Sequence, residues 1–190
     1  MSSEYDLKLD CIRKLLGTSH GQDWAFVPRP RLTEQMLAGW ESKYGVALPK
    51  EYRLFLREIA DGGVMPGSYC DFVVSSLADV RGAQTAAQPF PMSADRVRTR
   101  FQQLKLKGQP DNGVLFPELE RIWEADDQPA GCLMVGHYPS YDPLFLVTAG
   151  DLQGSLWCGV CCGIPESKHG ELVGFLDWFA DVLAEFEGAA

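Results

Sequence analysis

Long apolar runs are missing from this 190-residue chain. No stretch approaches the roughly 18 residues a membrane-spanning helix needs, and residues 1–10 hold no basic segment leading into an apolar one, as an export signal would. A cytoplasmic location is the expectation. Basic charge is scarce too: 17 Lys and Arg face 26 Asp and Glu, a net charge of -9. That balance opposes attraction to phosphate backbones and anionic lipid surfaces, so direct binding to nucleic acid or membrane is not expected, whereas a basic protein partner would meet the chain faster. Histidine occurs only at His20, His137 and His169. The chain has no P-loop, Rossmann glycine fingerprint, helical zinc-protease signature or Gly-x-Ser-x-Gly elbow, which removes the most readily recognised enzyme classes. It has no internal repeat and no low-complexity tract.

What is present is ordinary for a globular domain: 46% apolar and 23% charged residues, in a length that suits one domain with a sizeable core. The six cysteines, Cys11, Cys70, Cys132, Cys158, Cys161 and Cys162, are read as reduced thiols, since a core of this size needs no disulfide staples.

Periodicity places the elements. Tyr5, Leu9, Ile12 and Leu16 predict a short amphipathic helix ended by Gly17, followed by a connector broken by Gly21, Pro28 and Pro30. Residues 1–24 are therefore read as an N-terminal helix and connector packed on a main body of residues 25–190. Thr33 is an N-cap candidate, and Leu32, Met36, Trp40 and Tyr44 mark one face of a helix stopped by Gly45. Leu48-Pro49 opens another helix with Tyr52, Phe55, Leu56 and Ile59 inward, and Asp61-Gly62-Gly63 supplies its left-handed cap and a turn.

Strand-like runs follow at residues 72–74, 132–135, 144–148 and 155–161, the last two joined by a turn at residues 150–154. Val97, Phe101 and Leu104 predict a helix over residues 96–107 within an otherwise proline-broken region. Leu172, Phe175, Leu176, Phe179, Leu183 and Phe186 predict a C-terminal amphipathic helix, with Asp177, Asp181, Glu185 and Glu187 toward water. The short connections give an α+β fold, one domain with a mainly antiparallel sheet flanked by helices.

Several residues carry chemistry on paper. The spacing of Cys158 and Cys161, with Cys162 beside them, suits a tetrahedral zinc or a reactive dithiol, but a zinc ribbon needs a second ligand pair that neither His137 nor His169 provides. Cys161 also follows a strand-like run rather than opening a helix, so buried apolar cysteines are the preferred reading. His137 with Asp142 and either Cys132 or Ser140 can be drawn as a base and nucleophile, an arrangement only three-dimensional geometry can establish. No catalytic residue, metal or cofactor is expected. Glu118, Glu120, Glu124, Asp126 and Asp127 form the densest acidic segment; with Trp123 as an aromatic anchor they are candidate contacts for a basic partner, the alternative being a solvated loop around a core tryptophan.

The order Leu32-Thr33-Glu34, Trp40-Glu41, Tyr44-Gly45-Val46, Leu48-Pro49-Lys50-Glu51-Tyr52, Phe55-Leu56, Asp61-Gly62-Gly63 and Pro66-Gly67 resembles the SUKH superfamily, in its branch named for a fungal cell-wall-synthesis regulator. Segments at residues 131–133, 144–148, 154–157 and 175–178 resemble its bacterial members, so the likeness spans residues 25–187. Asp61 stands where that family commonly has Asn, and the thiol-rich stretch at residues 158–162 is not part of its pattern. The resemblance implies an antiparallel sheet flanked by helices and a binding protein without catalytic residues. Bacterial members include immunity proteins that neutralise polymorphic toxins, often nucleases, by binding them; fungal relatives regulate signalling and the cell wall. Leu48, Pro49, Tyr52, Gly62 and Gly63 match the motif, as architectural positions. The expectation is an immunity protein for a cognate protein toxin; a regulatory adaptor, or a thiol-dependent or zinc-binding enzyme, is the alternative.

Overall fold

The computed structural model describes residues 3–67, 71–106, 116, 119, 128–139, 142–158, 164–168 and 170–189. Its main sheet is a seven-stranded antiparallel meander whose spatial order follows the sequence: β1 (Val27–Pro28), β2 (Gly63–Met65), β3 (Phe72–Val74), β4 (Cys132–His137), β5 (Pro143–Val147), β6 (Leu156–Cys158) and β7 (Ile164–Pro165). A two-stranded hairpin, β8 (Ser167–Lys168) with β9 (Glu171–Leu172), continues from β7. The helices are α1 (Glu4–Ser19), α2 (Glu34–Tyr44), α3 (Lys50–Glu58), α4 (Ala94–Leu106) and α5 (Phe175–Ala189). The α+β class with a mainly antiparallel sheet flanked by helices is thus what the chain adopts. Among the described residues, no helix is long and apolar enough to cross a membrane.

Both faces of the sheet are covered, which explains why β5 reads as an unbroken apolar run. Alternate side chains point to opposite faces. Leu144 and Leu146 join a core with Leu133, Val135 and Leu156 beneath α1, α3 and α5, while Phe145 and Val147 join a second core with Cys132 and Trp157 beneath α4. The first core is aromatic at its centre: Phe175 lies 4.8 Å from Tyr52 and 5.0 Å from Phe55, ring centre to ring centre. In the second, Val97, Phe101 and Leu104 of α4 are buried, as their spacing predicts.

Local departures from the sequence reading have physical causes. Helix α1 starts with a capping box, Ser3 and Asp6 each accepting the other's backbone N–H, and it runs through Gly17. The Thr18 and Ser19 hydroxyls donate back to the Leu15 and Leu16 carbonyls, and Ser19 is buried, so the last turn is held despite glycine's low propensity. Thr33 does cap α2 and Gly45 ends it in the left-handed region, but the inward residue is Leu37, fully buried, while Met36 is 54% exposed.

Helix α3 ends at Ile59, before the glycine pair. Gly62, at φ +74°, instead turns the chain into β2, where a Cβ would lie 2.5 Å from the Val74 carbonyl oxygen. Leu172 belongs to β9 rather than to the C-terminal helix, which begins at Phe175. Strand β6 begins at Leu156, and residues 159–161 of the expected strand lie outside the described residues.

Candidate functional site

The candidate partner contacts Glu118, Glu120, Trp123, Glu124, Asp126 and Asp127 lie outside the described residues, as do Cys161, Cys162, Ser140 and His169. Leu48 is buried and donates its backbone N–H to Glu41, Pro49 is the residue before α3, Tyr52 is fully buried, and Gly63 pairs with Val74 in the sheet. Cys132 lies in the second core, its thiol hydrogen-bonded to the Pro129 carbonyl at 3.1 Å, and burial pushes its pKa up to about 12. It is therefore a neutral thiol at pH 7 and a poor nucleophile. Among the described residues, no three His, Cys, Asp or Glu side chains gather as a metal site would require.

Among the described residues, two clefts offer places for a partner. One, of about 660 Å³, is bordered by Tyr5, Pro49, Lys50, Glu51 and Asp151. Its carboxylates are already engaged within the fold: Asp151 accepts the Ala94 N–H at the start of α4, and Glu51 accepts both Lys8 and the Leu176 N–H at the start of α5. Lys50 sits 4.1 Å above the Tyr5 ring.

The other cleft, of about 580 Å³, lies between the β8–β9 hairpin and α5 and is lined by Tyr138, Glu166, Ser167, Trp178, Asp181 and Glu185, among others. Three elements assemble it. Tyr138 follows β4, in a turn closed by its N–H to the Asp142 carbonyl at 3.0 Å. Glu166 joins β7 to β8; its N–H donates to the Leu156 carbonyl and its own carbonyl accepts the Val173 N–H, so its backbone is pinned on both sides. Helix α5 presents Trp178, Asp181, Val182 and Glu185 at i, i+3, i+4 and i+7, one stripe of its surface.

A directional hydrogen-bond chain runs across the cleft. The Trp178 indole N–H donates to the Tyr138 hydroxyl at 2.8 Å, and that hydroxyl donates to Glu166 Oε1 at 2.7 Å. Phe72 backs both rings, at 5.9 Å from Tyr138 and 5.7 Å from Trp178. Burial raises the Glu166 pKa, the Tyr138 bond opposes that rise, and the Glu185 carboxylate adds to it. Burial first and Glu166 second hold the Tyr138 hydroxyl well above its usual range, so it stays protonated and donates.

Glu166, like Asp61, is a partly shielded carboxylate whose pKa burial raises and which has no ion pair among the described residues, whereas two shielded cations are matched. Lys8 is matched by Glu51 and Asp177, and Arg53 by Glu34 and Glu41. Among the described residues no cation lies within ion-pair distance of Glu166, and the neighbouring Lys168 is bound by both oxygens of Asp181 at 3.0 Å. The arrangement combines an aromatic floor, a carboxylate fixed by a hydrogen bond and a partly acidic rim. No family model, curated protein or solved structure matches this chain.

Proposed function

We propose that this chain is a noncatalytic binding protein, an immunity protein of the SUKH kind that neutralises a cognate toxin domain by direct contact inside the producing cell. The observation that carries the reading is the cleft between the β8–β9 hairpin and α5, where Tyr138 and Trp178 form a floor and Glu166 and Glu185 give it negative sign beside the mutually neutralised Lys168–Asp181 pair. Aromatic anchors ringed by polar groups are the usual centres of binding energy at protein interfaces. The net charge of -9 supports the same partner class, because a nuclease must carry a basic surface for its phosphate substrate, and an acidic protein both meets that surface quickly and competes for it. The motif order at residues 32–67 supports the family assignment, and the acidic segment with Glu118, Glu120, Glu124, Asp126 and Asp127 around Trp123 is a second proposed contact.

The test is co-expression with the toxin domain encoded beside this gene, reading host survival and copurification together. Protection with a stable complex is the expected result. A toxin that kills equally with and without this chain, and does not copurify with it, overturns the reading for that partner.

A further inference from the structure

We propose that the cleft between the β8–β9 hairpin and α5 is a receptor for a single arginine side chain of a protein partner, with the half-buried Glu166 as its counter-charge. The inference rests on the binding-protein reading and names the group that is bound.

Glu166 is half-buried, and a carboxylate drawn partly out of water without a cation is destabilising, because its lost hydration is not offset by a Coulomb partner. The fold tolerates that penalty at Glu166 and builds further structure around it: the Tyr138 hydroxyl fixes Oε1, Trp178 fixes Tyr138, and the backbone on either side is locked into the sheet and hairpin. Oε2 has no partner among the described residues. A separate observation at the same place points to a ligand. The Ser167 hydroxyl oxygen, also in the cleft lining, is buried and has no hydrogen-bond partner among the described residues. A buried acceptor left unmade costs free energy, and an incoming donor removes that cost.

The donor that fits this set is planar and carries several N–H groups. A guanidinium can bond Oε2 and the Ser167 hydroxyl with different N–H groups and lie against the Tyr138 and Trp178 rings, and it is more weakly hydrated than an ammonium, so it sheds water more readily. Asp181 does not compete as the main anchor, since Lys168 already neutralises it, whereas Glu185 is exposed at the rim and adds steering. The cleft volume lies within the range of small-ligand sites and leaves room for one such side chain.

The experiment titrates the isolated full chain with acetyl-Gly-Arg-Gly-amide and, separately, with the same peptide carrying citrulline, which keeps the shape and loses the charge. The readout is the indole N–H signal of Trp178 in a nitrogen-proton correlation spectrum, assigned with Trp178→Phe. The expected result is a saturable shift with the arginine peptide, half-complete at about 1 mM, and none with citrulline. Glu166→Gln, which retains an acceptor for Tyr138, is expected to weaken binding roughly tenfold or more, and Glu185→Gln by less. Equal shifts with arginine and citrulline, no saturable shift up to about 10 mM, or unchanged affinity in Glu166→Gln would each overturn the proposal. Because the titration contains no toxin, it is independent of the immunity reading. An arginine response without protection in cells sinks immunity alone, and protection that survives with no arginine response sinks the receptor alone.

Discussion

Glu51 gives the sharpest quantitative prediction, because one carboxylate ties three helices together. Its Oε1 accepts Lys8 Nζ from α1 at 2.7 Å, and its Oε2 accepts the Leu176 N–H in the first turn of α5 at 3.0 Å. The side chains of Lys8 and Glu51 are only 18% and 17% exposed, so solvent screens this pair far less than a surface pair. Burial alone would lower the Lys8 pKa; hydrogen bonds to Asp177 and Glu51 outweigh it and leave that pKa raised, so Lys8 is charged at neutral pH.

Glu51→Ala removes a helix N-terminal acceptor, worth about 1 kcal/mol, and one charge-assisted hydrogen bond, worth about 1.5 kcal/mol here because Asp177 still holds Lys8. The total is about 2.5 kcal/mol, or a fall in Tm of roughly 5–10 °C for a chain of this size. Glu51→Gln keeps the acceptor for Leu176 and loses the ion pair, so its cost is about 1.5 kcal/mol. Chemical denaturation of Glu51→Gln, Lys8→Met and the double variant should give a coupling of about 1 kcal/mol. The reasoning fails if Glu51→Ala is no less stable than Glu51→Gln, or if the coupling is zero within error.

Two further expectations concern buried polar groups. The Tyr52 hydroxyl is fully buried and has no hydrogen-bond partner among the described residues, so Tyr52→Phe should stabilise the protein by about 1 kcal/mol in urea denaturation; a loss of stability would show that the hydroxyl is satisfied in solution. The folded-state pKa of Glu166 is raised above its ordinary value of 4.5, so the folded protein holds that proton more tightly than the unfolded chain does. Its contribution to stability is therefore greatest in acid and falls as pH rises from about 4.5 through the raised value. Relative to Glu166→Gln, the parent chain should lose stability across that window and run parallel above it. Cys158, Asp181 and Glu185 surround the site in both proteins, and Tyr138 and Lys168, whose pKa values are raised, keep their protons across that window. Parallel stability curves throughout would refute the shift.

How legible the molecule is from its sequence depends on element length. The helices with three or more inward positions at helical spacing, such as Val97, Phe101 and Leu104 in α4, are readable because each inward residue repeats the same signal. Strands β1, β2, β7, β8 and β9 have two or three residues each, too few for alternation to emerge, and they form because neighbouring chain segments offer paired backbone groups. The candidate cleft is hidden for the same reason. Glu166 reaches Tyr138 across 28 residues, and Trp178 reaches it across 40, through links made by those short strands.

The spacing within α5 nonetheless carries a signal. Asp181 and Glu185 fall at i+3 and i+7 from Trp178, on the stripe that also carries buried Val182, not on the opposite face of the helix. A helix packed flat against its core has no reason to place carboxylates beside a buried indole, because burial penalises them there. Their presence on that stripe requires the covering layer to stop short, and the β8–β9 hairpin does so, leaving an acid-lined gap where continuous packing would otherwise be expected. Asp181, half-exposed, and Glu185, exposed, thus keep the water contact their charge requires, at the margin of the inward face where the hairpin leaves the helix open.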